Sequence, residues 1–491
     1  MSWASAFQTV QEAIDCSVAD QQIWVAGGSY PGAGASSVAV QPDHALSLYG
    51  GFAGTEVSLD ERVLGVHEST LGPAQDSIVV INHDLLVDGF SLRGGQAQLG
   101  GAVRVHTPGF FTGQVSIRNS LLEDNVANDG GAIGIATVAI VVNVVDSELR
   151  NNSAGTGSVG YASDARFAFE RCNVHDNPGA SVVAAFDGGF DYAFASAVDS
   201  TFSNNTGVSM TGKYLAVTGC RFEDNLDSAM RGEWVSAVGS TFINNQSDKP
   251  GGAIAAGGGF IEDGLILRDC LFIGNHSDSR GGAAEGGDLE IERTRFIANT
   301  AATSGGAISD ASFFGAPSHI RDSEFVDNIA GTLGGGVAGA PSIIRSTFTG
   351  NLAAGVPNGL DSTNFTQFPS LTACVFWPDS VRTSIDPPDD TPVVVIDSCI
   401  PATADNFVDL QGSSVELLGS PFTPADLDDD GLFEFYLDPL GPCVDLASVP
   451  PPPEANELDW TTATTQISQC TDSALLDAGM HYTPLNAVGP C

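Results

Sequence analysis

His175 and Asp176 are followed, about one repeat length on, by Asp187, Asp191 and Tyr192. A histidine beside carboxylates can act as a general base, which makes His175, Asp187 and Asp191 the candidate catalytic residues. Aromatic rings crowd the same stretch: Phe186, Phe190, Tyr192, Phe194, Tyr214 and Trp234. Aromatic platforms bind sugar rings and acidic side chains bind hydroxyls, so Phe190, Tyr192, Tyr214 and Trp234 are the candidate binding residues. A third constellation is acidic. Asp426, Asp428 and Asp430 with Gly431 place carboxylates at positions one, three and five and glycine at six, the first half of a calcium loop. Position twelve is Leu437 rather than glutamate, and Asp438 comes one residue late. These three aspartates are the candidate metal ligands, and calcium is the one cofactor indicated. The plainer readings are an outward-facing histidine within a repeat copy, aromatics packed in a core and an acidic surface turn closed by Asp-Gly.

What must position these residues is a repeat. Phe-x-x-Asn occurs at Phe202–Asn205, Phe222–Asn225, Phe242–Asn245, Phe272–Asn275, Phe296–Asn299, Phe325–Asn328 and Phe348–Asn351, with aliphatic copies at Leu122–Asn125, Leu149–Asn152 and Val174–Asn177. Gly-Gly pairs accompany it at 100–101, 130–131, 251–252, 281–282, 305–306 and 334–335. The steps from 122 to 348 are 27, 25, 28, 20, 20, 30, 24, 29 and 23 residues. Such variation excludes a rigid helical repeat, and no amphipathic helix of ordinary length fits between motifs. Short alternating runs joined by turns remain. The expected fold is all-β: a right-handed parallel β-helix, a solenoid whose stacked coils bury a continuous core. The phenylalanine points inward and stacks, the asparagine bonds along the stack, and the glycines supply special backbone angles. Two residues before the phenylalanine stands a small residue facing the same interior: Cys172, Ser200, Cys220, Ser240, Cys270, Thr294, Ser323 or Ser346.

The expected organisation is a cap with the first coils over residues 1–50, the β-helix over 51–445, and a proline-rich spacer with a C-terminal cap over 446–491. Phe7, Val10, Ala13 and Ile14 form a helix-like stripe, read as a short capping helix. Acidic residues number 60 against 18 basic, a net charge of −42. That excludes nucleic acid as a partner, because phosphate binding needs a basic face. No run of eighteen apolar residues occurs, so no spanning helix and no membrane insertion by this chain are expected. Of nine cysteines, Cys172, Cys220 and Cys270 are expected as buried free thiols. Cys374 and Cys399 lie one coil apart and could bond, and one disulfide among Cys443, Cys470 and Cys491 is plausible.

Gly130-Gly131-Ala132-Ile133, Gly251-Gly252-Ala253-Ile254 and Gly305-Gly306-Ala307-Ile308, each beside Phe-x-x-Asn or its aliphatic form, resemble the repeats of chlamydial-type polymorphic outer-membrane proteins and related bacterial β-helix proteins. Ile23–Pro31, Leu48–Glu56, Gly441–Asp445 and Leu476–Tyr482 look like the opening and closing segments of secreted β-helix proteins. The resemblance implies an extracellular or cell-surface protein with a structural or adhesive role, without the membrane barrel that ends the polymorphic proteins. Its partner would be a cell-surface glycan or protein, or a second copy of itself. Two rivals stand beside this reading: a polysaccharide lyase or hydrolase using the irregular face near 175–234, and a self-assembling filament or surface-layer subunit. The Asn-Thr-Asp, Gly-His-Gly and Arg-Ile-Lys motifs of pectin-type hydrolases are absent, and the balance favours a non-catalytic protein.

Overall fold

The structure is a computed structural model. It describes residues 3–425 and 434–437, apart from 33–37, 107–112, 137–139, 188–192, 258–263, 313–317, 363–368, 380, 383–392, 397, 402–407, 412–414 and 418–421. Among the described residues one α-helix occurs, Val10–Asp15, and nearly all other regular structure is strand. A capping box starts the helix: the Thr9 hydroxyl accepts from the Glu12 N–H, and the Glu12 carboxylate accepts from the Thr9 N–H. Val10 and Ile14 of the apolar stripe are buried, whereas Phe7 precedes the helix and is exposed.

The strands form a parallel β-solenoid. A typical coil runs through Val141–Val145, Glu148–Arg150 and Gly160–Ser163 before the next begins at Arg166. Each strand pairs in parallel with its counterpart one coil on: Val141 with Arg166, Glu148 with Asn173, Gly160 with Val183. The chain divides into two compact units, residues 1–236 with 243–246 and residues 237–242 with 247–491. In the first unit a narrow sheet ascends in chain order from Gly28–Tyr30 through Leu121–Glu123 and Asn173–His175 to Arg221–Glu223. In the second, the corresponding strands run from Leu271–Ile273 through Arg295–Ile297, Glu324–Val326 and Thr347–Thr349 to Val375–Phe376.

The repeat phrase accounts for the interior. In the second unit the rings of Phe242, Phe272, Phe296, Phe325, Phe348 and Phe376 stack, with successive centroids 4.3–5.0 Å apart and planes within 16°. In the first unit Phe202 and Phe222 stack at 4.9 Å, and Phe169 meets Phe202 edge-on. The asparagines form a hydrogen-bonded column. Asn299 Nδ2 donates to Asn328 Oδ1 at 3.0 Å and to the Phe272 carbonyl at 3.1 Å, while its Oδ1 accepts from both the backbone N–H and the side-chain amide of Asn275. Asn125, Asn152, Asn177, Asn205, Asn225 and Asn245 do the same in the first unit. Every donor and acceptor of a fully buried amide is thereby satisfied, which is the condition for burying one.

The small residue two before the phenylalanine builds another column. The Ser200 hydroxyl accepts from the Cys172 N–H and donates to the Val198 carbonyl. Ser346 serves Ser323, and Ser323 serves Thr294, in the same way. Serine, threonine and cysteine interchange here because each carries one compact donor and acceptor. Cys172, Cys220 and Cys270 are buried free thiols, and burial pushes the Cys270 thiol up to about 12. The expected Cys374–Cys399 bond is not formed. Cys374 is a free thiol, Cys399 is disulfide-bonded elsewhere, and the residue stacked on Cys374 is Ser398, whose hydroxyl accepts the Cys374 N–H. Cys399 lies one position further, in register with Val375 on the strand. Cys443, Cys470 and Cys491 lie outside the described residues.

The glycine pair works by proximity. A Cβ on Gly282 would stand 2.1 Å from the Gly306 carbonyl oxygen, and Gly281 adopts φ +66°. Two other turn positions also take positive φ, one directly before the asparagine (Asp124, Asn151, Asp176, Asn204, Asp224, Asn244) and one directly before the small residue (Asp146, Arg171, Asp199, Asp269, Arg293, Asp322, Arg345). Asp and Asn tolerate this region best among residues with a side chain.

Candidate binding face

The candidate catalytic residues are not assembled. His175 lies on the strand Asn173–His175 of the narrow sheet, whereas Asp187 follows Ser181–Phe186 of the wide one. The imidazole instead ends a chain of ion pairs across successive coils. Arg93 meets Glu68 at 3.1 Å and Glu123 at 3.0 Å, Arg150 meets Glu123 at 2.8 Å and Glu148 at 3.0 Å, and Glu148 meets His175 Nε2 at 3.1 Å. Asp176 lies 2.6 Å from His175 Nδ1. Both ring nitrogens are therefore engaged by carboxylates, which suits a structural link between coils. Asp187 faces Lys213, with Nζ 3.1 Å from its carboxylate. Asp191, Phe190, Tyr192 and the three aspartates 426, 428 and 430 lie outside the described residues. No group of three or more histidine, cysteine or carboxylate side chains converges as a metal site among the described residues.

Tyr214 and Trp234 are brought together, by a device local to this stretch. In most coils the wide sheet carries two separate strands, such as Ile133–Ile135 and Val141–Val145. At Val208–Thr218 they merge into one strand of 11 residues, and Met230–Val238 is likewise continuous over 9. The merged strand pairs with both halves of the preceding coil: Ser181 with Val208 and Ala184 with Thr211, then Phe194 with Tyr214 and Ala197 with Val217. These are the coils of the two 20-residue steps, so the residues that elsewhere connect the half-strands are simply missing.

The merger disturbs the in-out alternation of a strand. Four successive residues, 211–214, are half-exposed, and 231–234 face outward in the same way. Tyr214 is consequently outward-facing, and Trp234 is 37% exposed. Phe194, Tyr214 and Trp234 recur at 20-residue intervals, and Gly232 packs against the Gly212 carbonyl by the same step. The result is an outward aromatic ladder on the first unit. Lys213 Nζ lies 5.6 Å from the Tyr214 ring centroid, and Arg166 lies 5.8 Å over the Phe194 ring. Beside the Asp187–Lys213 pair stand Tyr161 and the exposed Phe186, whose rings are 6.0 Å apart. Phe194 and Tyr161 were not singled out as binding residues, although the 20-residue spacing of 194, 214 and 234 was a readable signal for the first of them.

Residues 239–257 match the family model of the Chlamydia polymorphic membrane protein repeat. The segment holds Phe242–Asn245 and Gly251-Gly252-Ala253-Ile254, the two phrases whose geometry is described above. No curated protein and no solved structure gives a significant match to the chain. No described helix is long and apolar enough to cross a membrane. The repeat points to a surface-associated, outer-membrane-type protein, and what the chain shares with that family is this repeat, carried on a parallel β-solenoid.

Proposed function

We propose that the chain is a non-catalytic structural and adhesive β-solenoid, displayed on the cell surface or in the extracellular space. The observation that carries this reading is where the polar side chains go. The repeat's asparagines and small hydroxyl residues close internal columns, and His175 is held between Glu148 and Asp176. A general base must reach the proton it removes, and a histidine engaged at both nitrogens by its own fold is poorly placed to do so. The large acidic excess favours solubility and a solvated exterior.

The test pairs retention with turnover. Purified chain is passed over immobilised bacterial and animal cells and over a glycan array, and the same glycans are assayed for released reducing ends and unsaturated products. Retention without product is expected. Product release from any glycan, or failure to be retained on every surface, overturns the reading.

A further inference from the structure

We infer that the Phe194–Tyr214–Trp234 ladder, bordered by the Asp187–Lys213 pair, binds an uncharged polysaccharide chain. This deepens the adhesive reading and rests on it. Three observations converge. Tyr214 and Trp234 face outward on strands that run continuously where other coils are split, and Phe194 opens the half-strand paired with the first of them, so an extended polymer meets a strand surface at two of the three rungs. Its rings repeat once per coil, and parallel strands are about 4.8 Å apart, so a chain of sugars lying along the coil axis meets a ring at each step. Aromatic faces receive the C–H faces of sugars, while the Asp187 carboxylate and Lys213 ammonium, 3.1 Å apart, offer an acceptor and a donor to hydroxyls at the border.

Charge selects among polysaccharides. With 60 acidic and 18 basic residues, the chain repels polyuronates and sulfated glycans at long range. At the ladder itself the Lys213 ammonium is matched by Asp187, and the Arg166 guanidinium over the Phe194 ring is one cation set against the acidic excess of the whole chain. An uncharged chain meets no such repulsion.

The probes are xyloglucan, galactomannan and hydroxyethylcellulose, with polygalacturonate and heparin as anionic counterparts, each used in affinity electrophoresis and calorimetry on the full chain. The native protein should bind at least one neutral polymer and neither anionic one. Trp234→Ala should weaken that binding about tenfold, equal to about 1.4 kcal/mol, and Tyr214→Ala should weaken it in the same direction. Trp234 is exposed, so unchanged thermal melting of its variant separates lost contact from lost fold. Binding to none of the neutral polymers, undiminished binding by Trp234→Ala, or equal affinity for polygalacturonate overturns the inference. A chain retained on cells that ignores neutral polymers removes this ligand and leaves adhesion standing, whereas loss of both removes both.

Discussion

The coils of residues 264–353 in the second unit and those of residues 160–236 in the first share one interior and differ in their exterior. Both stack phenylalanine, both carry the asparagine column, and both use a small hydroxyl or thiol residue at the same inward turn. In the second unit, glycine pairs at 281–282, 305–306 and 334–335 mark one turn of successive coils, where a Cβ on Gly282 or Gly306 would stand 2.1 Å from the carbonyl oxygen of the next coil. Among the described residues between 154 and 236 no adjacent glycine pair marks a turn, and at Val208–Thr218 and Met230–Val238 the strands merge. The difference teaches that the coil is fixed by its inner columns, while the outward turns are free to shorten. Residues released from turn duty become a surface, and that is where aromatic side chains collect.

If the interior is equivalent in both regions, deleting a ring should hurt both alike. Phe296 lies between Phe272 and Phe325, stacked at 5.0 and 4.9 Å, and Phe202 is stacked on Phe222 on one side with Phe169 edge-on at 6.1 Å. Both are fully buried. Phe296→Ala and Phe202→Ala should each cost about 3–5 kcal/mol in urea unfolding. A cost at Phe202 below half that at Phe296 would break the equivalence and make regular stacking, rather than burial, the source of stability.

The exterior offers the contrasting pair. The left-handed position before the small residue carries Asp and, one coil on, Arg at 146 and 171, 269 and 293, and 322 and 345, and each arginine reaches back to its aspartate. Arg345 meets Asp322 through two bonds, at 2.7 and 2.8 Å, with side chains 9% and 7% exposed. Arg171 meets Asp146 with the same geometry, at 2.6 and 2.8 Å, but the side chains are 48% and 42% exposed. Asp322→Ala should cost about 3–5 kcal/mol, because it breaks a buried ion pair held by two hydrogen bonds. Asp146→Ala should cost about 0–1 kcal/mol, because solvent replaces the partner. The hydrogen bond from Arg171 holds the Asp146 carboxyl below its ordinary value. Its small contribution is therefore present above the unfolded carboxylate range and lost as pH falls through the lowered value. Equal costs at the two sites, measured by the same unfolding experiment, would show that burial does not distinguish the regions.

The inner columns were legible in the sequence because they repeat one residue type at one position. Phe-x-x-Asn, the small residue before it and the Gly-Gly pair each announced a buried role, and the short helix announced itself by its apolar stripe. What escaped was whatever a neighbouring coil decides. The Asp and Arg residues at left-handed turns look like ordinary surface charges until Arg345 is seen over Asp322. Cys399 looks like a partner for Cys374 until the register shows Ser398 in that place. Tyr214 and Trp234 could be named, but not their outward direction, because strict alternation would have assigned 213 and 214 to opposite faces and the merged strand breaks that alternation. His175 and Asp187 are close in sequence and belong to different sheets, a separation that only the path of the coil reveals.

An effect smaller than those at Phe296 or Asp322 concerns the end of the asparagine column among the described residues of the second unit, where Phe376-x-x-Asp379 continues the motif with an aspartate in place of asparagine. Asp379 is fully buried, and its two carboxylate oxygens accept from the backbone N–H and the side-chain amide of Asn351, the bonds that an asparagine oxygen accepts elsewhere in the column. Burial pushes this carboxyl well above its ordinary value. A folded-state value raised above the unfolded one, near about 3.9, makes the protonated form the favoured one in the fold. Its contribution is then fully present at acid pH and is lost as pH rises through the raised value. Asp379→Asn removes the charge and keeps the acceptor, so it should stabilise the second unit at pH 7 by about 1 kcal/mol, the lower end of the cost of an unmatched buried group. The gain should shrink towards zero near pH 4. Melting both proteins across that range decides the matter: a variant less stable than the parent at pH 7 would mean that this coil needs the aspartate in its charged form, and a gain that persists unchanged at pH 4 would mean that something other than the buried charge sets the cost.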